Sequence, residues 1–315
     1  MRRLLARLDR WQRHHRPIAF PVAVVRKFVE DRASRHAVRI AYYAFFSVFP
    51  LLLAFVSIVG LVLQDDPSRR DDILNSAYAE MPVVGPLVRS DIGTIGGSGV
   101  ALVVGIGVAL WAGLGITLAL GQALDATWNV APVEQLGYFS RRLRGLAVLG
   151  TAGLALVASS VLSGAATSGR LSGEVGTTAV ALVVSVAVDA TALLAAFWLL
   201  ASERRSLGDL LPGVIVATLG LLVLQALGGW YVNTAIAHAS DTYGLFATVI
   251  GLLSWLSLAA QVILIAAEVN AVAALRLWPR SLTGAPTPAD TLALERYAES
   301  ARRDPRVQVD VHWKV

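Results

Sequence analysis

Two carboxylates stand where a chain of this composition can least easily hold them: Asp189 and Glu268 fall inside the long apolar stretches 178–200 and 245–271. An aspartate at the centre of a membrane helix costs about 2.5–3.5 kcal/mol on insertion scales, so it needs a use or a partner. At 100° per residue Thr178, Ser185, Asp189 and Ala196 lie within about 40° of one another, a small polar stripe expected to face other helices rather than lipid. Such a stripe suits a proton or ligand site. It suits equally a buried acid that ties helices together through serines and backbone.

Two further stripes accompany it. Ser254, Ser257, Gln261 and Glu268 lie within about 80° on their helix, with Asn270 on the opposite side. Glu268 falls near the end of its stretch, where it is expected to meet headgroups or to pair with an arginine such as Arg204 or Arg276. In the stretch 40–63, Tyr43, Ser47, Pro50, Ala54 and Ser57 follow one face, and Pro50 removes a backbone donor and is expected to kink the helix. If these stripes share one cavity, its pathway residues are Tyr43, Ser47, Ser185, Asp189, Ser257 and Gln261, with Asp189 as the titrating group. Glu268, Pro50 and Gly113 are then helix-packing or interface positions. Gly113 belongs to the row Gly105, Ala109, Gly113, Thr117 and Gly121, whose small side chains suit close helix approach.

The elements that must carry these residues follow from composition. The chain has 315 residues, 56% of them hydrophobic and only 16% charged, where soluble domains run near 25% charged. A bilayer core needs about 20 apolar residues as helix, because lipid satisfies no exposed backbone group. Six stretches meet that demand, at 40–63, 100–120, 145–166, 178–200, 212–232 and 245–271. The fold class expected is an all-α membrane protein of about six transmembrane helices. With both termini inside, all but four of the 27 basic residues fall in inner segments, so the positive-inside bias puts both ends in the cytoplasm. The net charge of +5 then faces anionic headgroups, with no need of nucleic acid.

Three regions result: a basic segment 1–39, the six-helix domain 40–275 and a polar tail 276–315. Residues 1–15 and 18–35 mix arginine with apolar residues at helical spacing and read as interfacial amphipathic helices. No cleavable signal peptide is expected, since the first apolar run begins near Ile40. The outer loop 64–99 is expected to hold a helix at 71–80, broken at Met81-Pro82. The tail is expected to be mobile, with a short helix at 289–302.

The order of motifs resembles the YihY/virulence factor BrkB family. Phe28-Val29-Glu30-Asp31 precedes Ala41-Tyr42-Tyr43-Ala44-Phe45-Phe46-Ser47-Val48-Phe49-Pro50. Trp111, Trp128-Asn129, Arg141-Arg142-Leu143-Arg144 and Leu211-Pro212-Gly213 follow in the family's order, and Tyr243-Gly244 opens a helix that runs through Trp255 to Ala267-Glu268-Val269-Asn270-Ala271. The resemblance implies a six-helix, multi-pass protein of the bacterial inner (plasma) membrane. It also carries an older label, that of a membrane-bound tRNA-processing ribonuclease. Asp189 is not part of the pattern that carries the resemblance.

That label finds little support in the residues. Metal-dependent nucleases cluster His and Asp ligands around catalytic ions, whereas His14, His15, His36, His238 and His312 form no such group. There is no cysteine, no GxxxxGK[ST], no GxSxG and no HExxH. The expectation is a non-enzyme without metal or cofactor: a secondary transporter or lipid flippase whose partners are membrane lipids, anionic headgroups above all, with an amphiphilic substrate. A non-transporting envelope scaffold is the alternative. The sequence leaves oligomeric state open.

Overall fold

A computed structural model describes residues 9, 11–63, 66–69, 71–73, 99–167, 174–231, 245–283 and 285–309. It is helical, with no strand among the described residues. All six apolar stretches lie in helices: α2 (Ala33–Val62), α3 (Gly99–Thr127), α4 (Tyr138–Thr167), α5 (Glu174–Leu200), α6 (Leu207–Tyr231) and α7 (Leu245–Ala274). Among the described residues, the segments Val183–Leu200, Leu207–Gly228 and Val249–Ala274 are long and apolar enough to cross a membrane. Two shorter helices flank the six: α1 (Arg16–Glu30) before them and α8 (Pro288–Ser300) after them. The expected loop helix at 71–80 is helical over 71–73 and otherwise lies outside the described residues.

The six long helices pack in chain order, α2 on α3, α3 on α4, and so on to α7, which returns to α2 and closes a ring. Its core is concentrated at one end. There Ala23 and Val24 of α1, Leu124 of α3 and Trp128 just after it, Val148 of α4, Phe197 and Leu200 of α5, Leu210 and Val214 of α6, Ala266 and Val272 of α7, and Ala293 of α8 form one buried cluster. On α5 and α6 the described buried positions lie at this packed end, at 196–200 and 210–218, apart from Gly228.

Local chemistry explains how the flanking helices reach that end. α1 begins with Pro17 in its first turn, where no intrahelical donor is lost. Its buried residues Ala19, Ala23, Val24 and Lys27 follow one face, which packs on α7. Arg32 then takes a left-handed backbone (φ 53°, ψ 37°), and this turn separates α1 from α2. The amphipathic segment expected at 18–35 therefore seats against the bundle rather than only lying beside it.

The tail departs further from expectation. Thr287 caps α8 through the Asp290 amide, and the Asp290 side chain accepts from the Thr287 amide in return. Ala289, Asp290 and Ala293 are buried. Segment 276–300 is thus docked rather than mobile, because Arg280 inside it is buried and needs the carboxylates it finds there.

Candidate functional site

Four helix ends meet in a buried polar network. The Lys27 ammonium, 1% exposed, donates to the Thr127 carbonyl at 2.6 Å, pairs with Asp31 and lies 3.2 Å from the Glu268 carboxylate. Glu268 is fully buried and also accepts from the Thr127 hydroxyl at 3.4 Å. The Tyr297 hydroxyl closes the group by donating to Asp31. This joins α1, the end of α3, α7 and α8 through one lysine and two acids. Burial and the negative charge of Asp31 push the Tyr297 phenol well above its ordinary range, so it remains a donor.

A second set lies beside it. Arg280 donates to Asp290 at 2.7 Å and to both Glu30 oxygens at 3.1 and 2.9 Å, and Arg26 reaches Glu30 at 2.8 Å. Burial alone would raise Asp290, but the Thr287 amide, the Arg280 guanidinium and the Ser281 amide outweigh it and hold the acid at about 2. Asp9 is likewise lowered: burial opposes, and Arg13, the Leu282 amide and Gln12 prevail. A third set surrounds buried Asp125 of α3, which accepts from the Ser202 amide and hydroxyl and from Arg141, each at 2.9 Å.

Between α6 and α7 the contact is closer still. The Gly213 amide donates to the Asn270 side-chain oxygen at 2.6 Å. A Cβ on Gly213 would stand 2.2 Å from the Ala266 carbonyl oxygen, which only glycine avoids.

The residues expected to line a pathway are divided by this arrangement. Tyr43 seats its ring where Gly115 of α3 has no side chain, 2.7 Å from the position of an absent Cβ, and packs with the cluster that holds Ala260 and Leu264 of α7. Ser47 is buried and donates to the Ala44 carbonyl at 2.9 Å. Ser257 and Gln261 are half-buried on α7 and bond each other at 3.4 Å. These four belong to α2 and α7, which pack together, whereas Ser185 and Asp189 belong to α5, which packs on α4, α6 and α3. Gly113 packs against Leu149 of α4, and α2 runs unbroken through Pro50. The side chains of Ala54, Ser57 and Thr178 lie outside the described residues.

Asp189 has an unexpected setting. It falls on the same side of α5 as Ala196 and Leu200, within about 20° of each, and both of those are buried in the core. Asp189 is nevertheless exposed, and Ser185 is half-buried. The next helix repeats the pattern: Gln225 of α6 falls within about 20° of buried Val214 and Thr218 and is itself exposed. Asp189 is 11 residues from Leu200, and Gln225 is 11 from Val214. At 1.5 Å per residue both stand about 16 Å beyond the packed core. Two exposed polar side chains thus lie at one depth on neighbouring helices, each on the side that carries buried core residues nearer the packed end.

Sequence reasoning missed Lys27 and Asp125, and assigned Glu268 the wrong partner. Glu268 meets Lys27, while Arg204 lies over the Trp198 ring at 5.4 Å and Arg276 is exposed. One signal was available. The chain has only two lysines among 27 basic residues, and Lys27 precedes Asp31 by four, directly before the motif that opens the family pattern.

Comparison with known proteins follows the same residues. The sequence profile described as virulence factor BrkB matches residues 24–290, from α1 into α8. A Bacillus subtilis (strain 168) protein that bears the name ribonuclease-like protein YfkH is 34% identical over 71 residues, which is 22% of this chain and 26% of that relative. The match therefore spans about a quarter of the relative's length. No solved structure matches.

Proposed function

We propose, from the premise that this chain belongs to the virulence factor BrkB family of bacterial membrane proteins, that it moves a lipid or other amphiphile across the membrane. The observation that carries the reading is exposed Asp189 on the core-facing side of α5, with Gln225 beside it in depth. A carboxylate in an apolar helix, turned inward and uncovered, is what a water-accessible pathway requires and what a packed scaffold avoids.

In this reading all six long helices span the bilayer, and the packed end lies at the cytoplasmic face with both termini. Three segments already have the needed length and apolarity, and the arginine distribution orients them. The Lys27, Arg280 and Asp125 sets then close the inner end, while the ring parts beyond it. The partners are membrane lipids, with Tyr43, Ser47, Ser257 and Gln261 as a polar seam between α2 and α7 and no metal or cofactor taking part.

Headgroup-labelled lipid translocation in proteoliposomes tests this reading. Wild type is expected to move lipid, and Asp189→Asn to lose most of the rate at unchanged expression and monodispersity. Equal rates in the two proteins would remove Asp189 from the mechanism. No translocation by folded wild type would favour the scaffold. The ribonuclease-like name belongs to the relative. For this chain, purified protein with divalent metal is expected to leave structured RNA uncut.

A further inference from the structure

At the packed end a cleft of ≈ 590 Å³ opens between the α1–α2 turn, the end of α3 and α8. Three acids line it, and each is already answered: Asp31 by Lys27 and the Tyr297 hydroxyl, Asp125 by Arg141 and Ser202, Glu30 by Arg26 and Arg280. The groups left over are of the opposite kind. Arg32 and His36 line the cleft and have no side-chain hydrogen-bond or ion-pair partner among the described residues. Gln122 lines it from α3 and accepts from Arg39 through its oxygen, so its amide hydrogens remain available. Arg32, His36 and Arg39 follow one another at i, i+4 and i+7, on one side of the start of α2. Arg39 also lies 5.9 Å over the ring of Tyr43, one turn farther along α2.

We infer that this cleft binds a phosphate ester, held by Arg32, His36, Arg39 and the Gln122 amide. A guanidinium pairs with two phosphate oxygens at once, and His36 and the Gln122 amide line the same cleft as further donors, with Arg39 bonded to Gln122 at its edge. The source is a membrane lipid rather than a free phosphate, because Arg39 directly precedes the apolar run that begins at Ile40. At 1.5 Å per residue Arg32 stands about 12 Å below Ile40, so the donors span headgroup depth. The site needs only α2 to enter the membrane near Ile40. It therefore stands or falls apart from translocation by way of Asp189.

Photo-crosslinking of the full chain in nanodiscs tests it, with a photoactivatable phospholipid as probe and peptide mass spectrometry as readout. Label is expected on the peptides that contain Arg32–Arg39 and Gln122–Asn129. Arg32→Gly removes the cation and suits the left-handed backbone at that position, so the fold is kept. Gln122→Glu sets a carboxylate against the phosphate and serves as an independent second variant. Each is expected to reduce labelling about tenfold, the worth of one charge-assisted hydrogen bond. Arg35→Gln, an exposed arginine outside the cleft, is expected to change nothing. Competition by millimolar glycerol 3-phosphate as strong as that by phospholipid would keep the phosphate chemistry and move its source to solution. Equal labelling in all variants, or by a diacylglycerol probe without phosphate, would overturn the site.

Discussion

Lys27 carries its ammonium into the core, where Glu268 and Asp31 receive it. Removing it leaves Glu268 buried beside no cation, and breaking a buried pair from one side costs about 3–5 kcal/mol. Lys27→Met is expected to lower the Tm in detergent sharply, and Lys27→Met with Glu268→Gln to recover a large part of the loss. Additive losses in the double variant would show that the two residues do not act as a pair. Asp290 makes a pH statement of the same kind. Its pKa is lowered from 3.8 to about 2, so its contribution is present above the unfolded value and is lost as pH falls through the folded one. Hydrogen exchange is expected to find α8 docked at pH 5 and released between about pH 4 and 2. Asp290→Asn is expected to abolish that acid dependence. A lone glutamate in a span announces that it needs a cation, but which one depends on how α1 folds back, and no local pattern encodes that. Asp125 was hidden for a related reason: it follows the apolar run of α3 like an ordinary helix-end acid, and its partners come from the first turn of α4 and the loop after α5.

At the scale of elements, the six long helices could be read directly from apolar length, since lipid admits only closed backbone hydrogen bonding. The flanking pieces were harder. The spacing of Ala19, Ala23, Val24 and Lys27 marks a face on α1 but does not say whether lipid or protein covers it. The capping residues Thr287 and Asp290 announce α8, whereas its docking rests on Arg280, whose partners Glu30 and Asp290 are 250 and 10 residues away. Gly213 makes the clearest test of element packing. A methyl group there collides with the Ala266 carbonyl and the Asn270 amide, both of which are held by α7. Gly213→Ala is expected to cost about 1–3 kcal/mol and to lower the yield of folded protein, while Gly150→Ala, which meets open space, is expected to be silent. Equal stability of the two variants would mean that α6 and α7 do not approach as closely as described.

At the scale of the molecule, the ring is held at one end by ion pairs and a common apolar core, while Asp189 of α5 and Gln225 of α6 are exposed farther on. The helical wheel placed Asp189 and Ala196 in one stripe expected to face other helices, and both residues lie in α5. What the wheel could not supply is that Ala196 is buried in the core while Asp189, on the same side of α5, is exposed. The absence of cysteine makes that distinction measurable against a clean background. Asp189→Cys and Ala196→Cys, each in otherwise unaltered chain in intact cells, would be treated with a membrane-impermeant maleimide. Labelling of the first variant from outside, and none of the second, is the result expected of a ring closed toward the cytoplasm and open beyond it. If neither position is labelled from either side of the membrane, Asp189 is covered in the bilayer, and the pathway reading is contradicted.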